Sequence, residues 1–198
     1  GTDRQRAFVL HHFANHELLA LEIMALALLR FPTAPKGFRK ALVHTMTEEQ
    51  THLKMYRNRM STLGISMGDV PVNRFFWDAL SNMESPLEFI AGMCLTFEQA
   101  NLDFSLFWRD AFKVATDHET AELLQVVYED EVGHVRIGHQ WFKRLKPPRL
   151  SVWEAYTQNL CFPLTPSRAR GKIFCRVSRE TAGLGSEFID NISVYRHS

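Results

Sequence analysis

The chain has 198 residues, of which 45% are hydrophobic and 23% charged, and a formal net charge of +1. That length fits one domain, or one domain with a tail, holding enough apolar residues for a substantial core. The balanced charge offers no field for nucleic acid or a membrane surface. Cys94, Cys161 and Cys175, odd in number and without C-x-x-C spacing, argue against a disulfide scaffold or thiolate metal site and fit a reducing cytoplasm.

The first helix is predicted from about Asp3 to Arg30, stopped by Pro32 and Pro35. Its stretch Leu18–Leu29 is very apolar but short and interrupted by Glu22, as expected of a buried core helix rather than a membrane span. The chain opens on Gly rather than Met, already in a helical pattern, so an N-terminal piece of the natural protein is expected to be missing. The second helix runs from about Gly37 to Leu63 and ends on Gly64 as its C-cap. A longer connection, Ile65 to Ser85, holds a short amphipathic piece from Asn73 to Met83. The third helix starts at Ser85-Pro86, an N-cap followed by proline at the first helical position, and reaches about Val114. The fourth runs from near Asp117 to just before Pro147-Pro148. Each of the four is about 40 Å long at 1.5 Å per residue. Residues 1–148 are thus read as an all-α four-helix bundle with one long crossover connection. Residues 149–198 are read as a helical extension packed on it, with one helix around Trp153–Phe162 and a second stretch near Arg168–Phe188.

Two copies of Glu-x-x-His carry the chemistry: Glu49-Gln50-Thr51-His52 and Glu131-Val132-Gly133-His134. Each follows a lone mid-helix carboxylate, Glu17 or Glu98, by about one helix length, and the two intervals differ by one residue. Residues three apart share a helix face, so each pair offers an oxygen and a nitrogen to one point in space. Glu17, Glu49, Glu98 and Glu131 fall near the midpoints of their helices, and midpoints meet at one height in an up-down bundle. Six ligands from four helices can therefore converge on a dinuclear metal site halfway along the bundle. Neutral imidazole with carboxylate suits iron, manganese or zinc. In this reading Glu49 and Glu131 bridge, while Glu17 and Glu98 bind mostly one metal each. Glu22 is the rival for Glu17, but its offset from Glu49 breaks the repeat. The acids preceding each motif, Glu48 and Asp130, are expected to accept the free ring N–H of the histidine in the opposite half.

Other residues are read more plainly. His11, His12, His16, His44, His118 and His139 lack a partner at ligand spacing and are assigned surface or core roles. Tyr56 and Tyr128 are assigned to packing, as are Trp77, Trp108 and Trp141. Gly133 and Gly138 cost helix stability and could open space beside the metals. Arg168, Arg170, Lys172, Arg176 and Arg179 in the tail read as a solvated basic face.

The segments His16-Glu17-Leu18, Glu48-Glu49-x-x-His52-Leu53, Phe97-Glu98-Gln99-Ala100-Asn101-Leu102 and Glu129-Asp130-Glu131-Val132-Gly133-His134-Val135 resemble the ferritin-like superfamily. More closely, the chain is similar to the bacterial family catalogued as domain of unknown function 455. Ala182-Gly183-Leu184 also fits that family, while its usual Gly-Pro-Phe-Asn stands here as Phe162-Pro163-Leu164-Thr165. The resemblance implies a ferritin-like bundle and the six ligands named above, and says little about the reaction, because fold and function are separable. More distant kin include rubrerythrins, ferritins, a tRNA hydroxylase and soluble di-iron oxidases. No rubredoxin-like cysteine motif is present.

The function expected from these residues is that of a cytoplasmic oxidoreductase. Two iron ions, or manganese in their place, would activate O2 or peroxide to oxidise or hydroxylate a small-molecule substrate. Electrons would come from an external donor, since no flavin or iron–sulfur signature is seen. Neither a membrane nor a nucleic-acid partner is expected, and a homodimer is allowed. The alternative is a non-catalytic protein for iron binding, storage or oxidant scavenging.

Overall fold

The computed structural model describes residues 2–196; Gly1, His197 and Ser198 lie outside the described residues. Helix α1 (Asp3–Arg30) opens with a capping box, in which the Thr2 hydroxyl accepts from the Gln5 amide while the Gln5 side chain accepts from the Thr2 amide. Helix α2 (Lys36–Thr62) ends where Gly64 adopts φ +81° and the Ile65 amide returns to the Met60 carbonyl. The link to the second hairpin carries the short helix α3 (Phe75–Leu80) and is tied to α1 by a reciprocal pair. In that pair the Asn73 amide donates to Asn15 Oδ1 (2.7 Å), and Asn15 Nδ2 donates to the Asn73 carbonyl (3.3 Å).

The second hairpin begins at Ser85, whose hydroxyl accepts from the Glu88 amide ahead of helix α4 (Pro86–Phe89). A π-helical segment, Ile90–Phe97, leads directly into α5 (Glu98–Val114). Asp117 then caps α6 (His118–Leu145) by accepting from the Thr120 amide. The tail adds α7 (Val152–Gln158), a 3-10 turn Pro166–Ala169, α8 (Arg176–Thr181) and α9 (Ser186–Val194). No strand occurs among the described residues, and the architecture is an all-α helical bundle. Its main pairings are α1 on α2 and α5 on α6.

The amphipathic piece holds a helix over Phe75–Leu80. Two expectations are corrected. The third helix is not α throughout, because its π segment forms wider i→i+5 turns. The expected tail helix over Arg168–Phe188 is instead broken into three short pieces. Gly171 lies so close to α5 that a Cβ there would meet the Asp103 Cβ at 2.9 Å, and Gly183 turns the chain with φ +83° between α8 and α9.

Two apolar clusters fill the interior. One joins Leu10, Phe13, Tyr56, Met60, Leu124 and Val127 towards one end. The larger joins the C-terminal half of α1, the start of α2, the π segment, the later turns of α6 and the tail. Every residue from Phe89 to Asp103 is buried, since the tail covers the face of this helix that the bundle leaves open. By length and composition α1 is long and apolar enough to cross a membrane, yet half of that stretch is buried inside the bundle.

Candidate metal centre

The six residues singled out by spacing come together at the level between the two apolar clusters. Glu17 lies on α1, Glu49 and His52 on α2, Glu98 on the first turn of α5, and Glu131 and His134 on α6. All six are at most 3% exposed. Glu22, the rival for Glu17, points to solvent.

Their ligand-type atoms form two overlapping groups, Glu17 with Glu49 and His52, and Glu49 with Glu98 and His134, each within 4.8 Å of one another. Glu49 belongs to both, as a bridging carboxylate would. Glu131 belongs to neither group; its Oε1 accepts from Asn101 Nδ2 at 2.7 Å, and its Oε2 lies 3.6 Å from His134 Nδ1. The two motifs are thus less alike than their spacing implied.

Both histidines are oriented by an acid from the opposite hairpin. His52 donates through Nε2 to Asp130 Oδ2 (2.9 Å), and His134 donates through Nε2 to Glu48 Oε2 (3.0 Å). That crossed arrangement is the one expected from sequence, and it leaves each Nδ1 facing the carboxylates. His52 Nδ1 is 3.4 Å from Glu49 Oε2, and His134 Nδ1 is 3.0 Å from Glu49 Oε1 without hydrogen-bond alignment.

Seven buried atoms of these six residues have no hydrogen-bond partner: Glu17 Oε1, Glu49 Oε2, His52 Nδ1, both oxygens of Glu98, Glu131 Oε2 and His134 Nδ1. Native interiors leave few polar atoms unsatisfied, and seven in one place call for an explanation. Protonation also reports the strain. Burial, with Glu49 and Glu131 nearby, holds Glu17 well above the usual carboxylate range. Burial pushes Glu98 up to about 8 against the pull of His134. Burial alone would raise Glu49 too, but contacts with Glu17, His134 and His52 outweigh it and hold that carboxylate low. Burial opposes charge on His52 and His134, yet the facing carboxylates win and raise both. Among the described residues no Lys or Arg is ion-paired with any of the four glutamates. These buried Glu and His groups could bind metal, and the charge of four carboxylates would be matched by two divalent cations.

Several roles were not anticipated. Asn101, a buried amide three residues after Glu98, positions Glu131 and in turn accepts from the Ser105 hydroxyl. His16 lines a small chamber of about 20 Å³ together with Glu17, Glu49, Glu98 and Glu131; burial, with a further contribution from His12, lowers its pKa to about 3 and keeps it neutral. Gly138 does not open space at the site, because Cys94 fills it: an added Cβ would sit 2.3 Å from the Cys94 Cβ. A Cβ at Gly133 would meet nothing within 4 Å. The tail arginines do not form one solvated face. Arg179 is fully buried and grips Asp103 with both terminal nitrogens (2.8 and 2.9 Å), while Arg176 pairs with Glu180 and Asp190.

The family described as "Protein of unknown function (DUF455)" matches residues 1–190, and the chain belongs to that family. An "Uncharacterized protein" of Haemophilus influenzae (strain ATCC 51907 / DSM 11121 / KW20 / Rd) is 26% identical over 169 residues, which cover 81% of this chain. The match spans 59% of the length of that relative. No solved structure matches the chain significantly.

Proposed function

We propose that this family member is a ferritin-like, dinuclear metal oxidoreductase that uses O2 or peroxide to oxidise or hydroxylate an organic substrate. The observation that carries the reading is the set of seven unsatisfied buried atoms, all on six residues contributed by four helix segments. The order of the donors along the chain, and the long link between the two hairpins, support the superfamily assignment.

In this reading Glu17, Glu49, His52, Glu98, Glu131 and His134 would hold the two ions, and Glu49 is the residue common to both groups of ligand-type atoms. Iron, or manganese in its place, would supply the binding and reduction of the oxidant. The chain supplies the rest. Asp130 and Glu48 keep each histidine's proton on Nε2, so that Nδ1 stays available as a donor. Asn101 holds one oxygen of Glu131 and leaves the other free to change partners. Phe76 and Phe97, stacked with ring centroids 3.8 Å apart, wall the chamber and limit the entry of water. A small-molecule substrate and an external electron donor are the partners this chemistry requires.

The test is oxygen consumption after anaerobic loading with ferrous iron. The loaded wild-type protein is expected to take up O2, and Glu131→Ala and His134→Ala are expected to abolish uptake while keeping a helical circular dichroism spectrum. Loaded wild type that consumes neither O2 nor added peroxide would defeat the oxidase reading.

A further inference from the structure

A second, larger cavity lies outside the small chamber. It has a volume of about 430 Å³, within the range of roughly 300–1,000 Å³ common for small-molecule sites. The two spaces share His16, Phe76, Phe97 and Asn101 as walls, so the cleft leads from the surface to the carboxylates. Size divides their roles. The inner chamber, about 20 Å³, has room for little more than one water-sized molecule, and an organic body must stay in the outer cleft.

The lining of the cleft is both aromatic and cationic. Phe75, Phe76, Phe97 and Phe104 contribute to its lining, and Phe104 is 41% exposed, as a ring left uncovered for a ligand would be. Arg168 and Arg170 line it as well. Arg168 is exposed, with its guanidinium 4.9 Å from the centroid of the Phe75 ring. Arg170 donates through Nη2 to the Tyr195 carbonyl, while its Nε is buried with no hydrogen-bond partner. Neither arginine is ion-paired with a carboxylate among the described residues, whereas in the same tail Arg176 is paired with Glu180 and Asp190, and Arg179 with Asp103. A guanidinium fork with open donors suits a planar or tetrahedral oxyanion.

We infer that this cleft is the substrate site, and that it takes a small molecule with a flat apolar or aromatic body and one anionic head group, a carboxylate or a phosphate monoester, held by Arg168 and Arg170. The assignment as a substrate site rests on the metal-oxidase reading above. The anion head at the rim would direct the far end of the molecule towards the Phe76–Phe97 wall and the chamber behind it.

Calorimetric titration tests this with trans-cinnamate, phenyl phosphate and the neutral methyl cinnamate as probes, and with metal content measured on the same samples. Wild type is expected to bind at least one of the two anions, whichever is tighter identifying the head group, and to bind the ester roughly tenfold or more weakly. Arg168→Gln combined with Arg170→Gln is expected to weaken the anion by a similar factor without changing metal content. Arg168→Gln alone, at an exposed position, serves if the double variant does not fold. Phe104→Ala is expected to weaken anion and ester alike. Equal binding of ester and anion, wild-type affinity in the arginine variants, or no binding of either anion at millimolar concentration would overturn the proposal. Arginine-dependent binding in a protein that takes up no metal would leave the anion cleft standing and remove the oxidase reading. Metal uptake without arginine-dependent binding would do the reverse.

Discussion

Each site histidine presents Nδ1 inward because its Nε2 is engaged by a carboxylate across the bundle. Those carboxylates, Asp130 and Glu48, are partly exposed, so removing them should disturb the fold little. Asp130→Ala and Glu48→Ala are therefore expected to lower metal affinity by roughly 10–100-fold, as orienting partners of metal-bound histidines typically do, with an unchanged thermal midpoint. A competition titration against a chelator of known affinity reads this directly; unaltered affinity in both variants would show that the crossed pairs do not set the tautomer. These pairs could be read in the sequence because an acid adjacent to each motif has few other tasks at that position. Asn101 could not, since an amide in an apolar run gives no sign of its partner until Glu131 is brought to 2.7 Å from it. Repeat spacing likewise treats Glu49 and Glu131 as equivalent, and the Asn101 contact distinguishes their surroundings.

At the scale of elements, the ends of the long helices were legible because caps and breakers mark them: Pro32, Gly64, Ser85-Pro86 and Pro147-Pro148 stand where the structure starts or stops a helix. The π segment was not. Residues 89–103 are buried on every side, so their hydrophobicity carries no period from which a wider turn could be read. The tail was misread for a different reason. Five basic residues within a short stretch look solvated, and only the fold reveals that Arg179 reaches across to Asp103 and also donates to the Ala169 and Cys175 carbonyls. Asp103 in turn accepts from the Gly171 and Cys175 amides, so one buried ion pair fastens the tail to α5. Arg179→Ala leaves that carboxylate buried without its cation, and a loss of about 3–5 kcal/mol is expected in urea denaturation. A loss below about 1 kcal/mol, the level of an exposed pair, would show that the tail is not held this way.

Across the whole molecule, the polar layer sits between two apolar clusters that have no comparable group of unsatisfied atoms. Burying four carboxylates and two imidazoles there would be costly without compensation, and the raised protonation of Glu17 and Glu98 is how the isolated side chains meet that cost. Divalent cations would displace those protons and satisfy the free oxygens and nitrogens together. Anaerobic titration of metal-free protein with ferrous or manganous ion, followed by elemental analysis of the protein freed of unbound metal, measures this without reference to any substrate. About two ions per chain are expected for wild type, and fewer than one for Glu49→Ala, which removes the carboxylate common to both groups. Wild-type protein that retains no metal, or a Glu49→Ala variant that retains the full complement, would contradict the account.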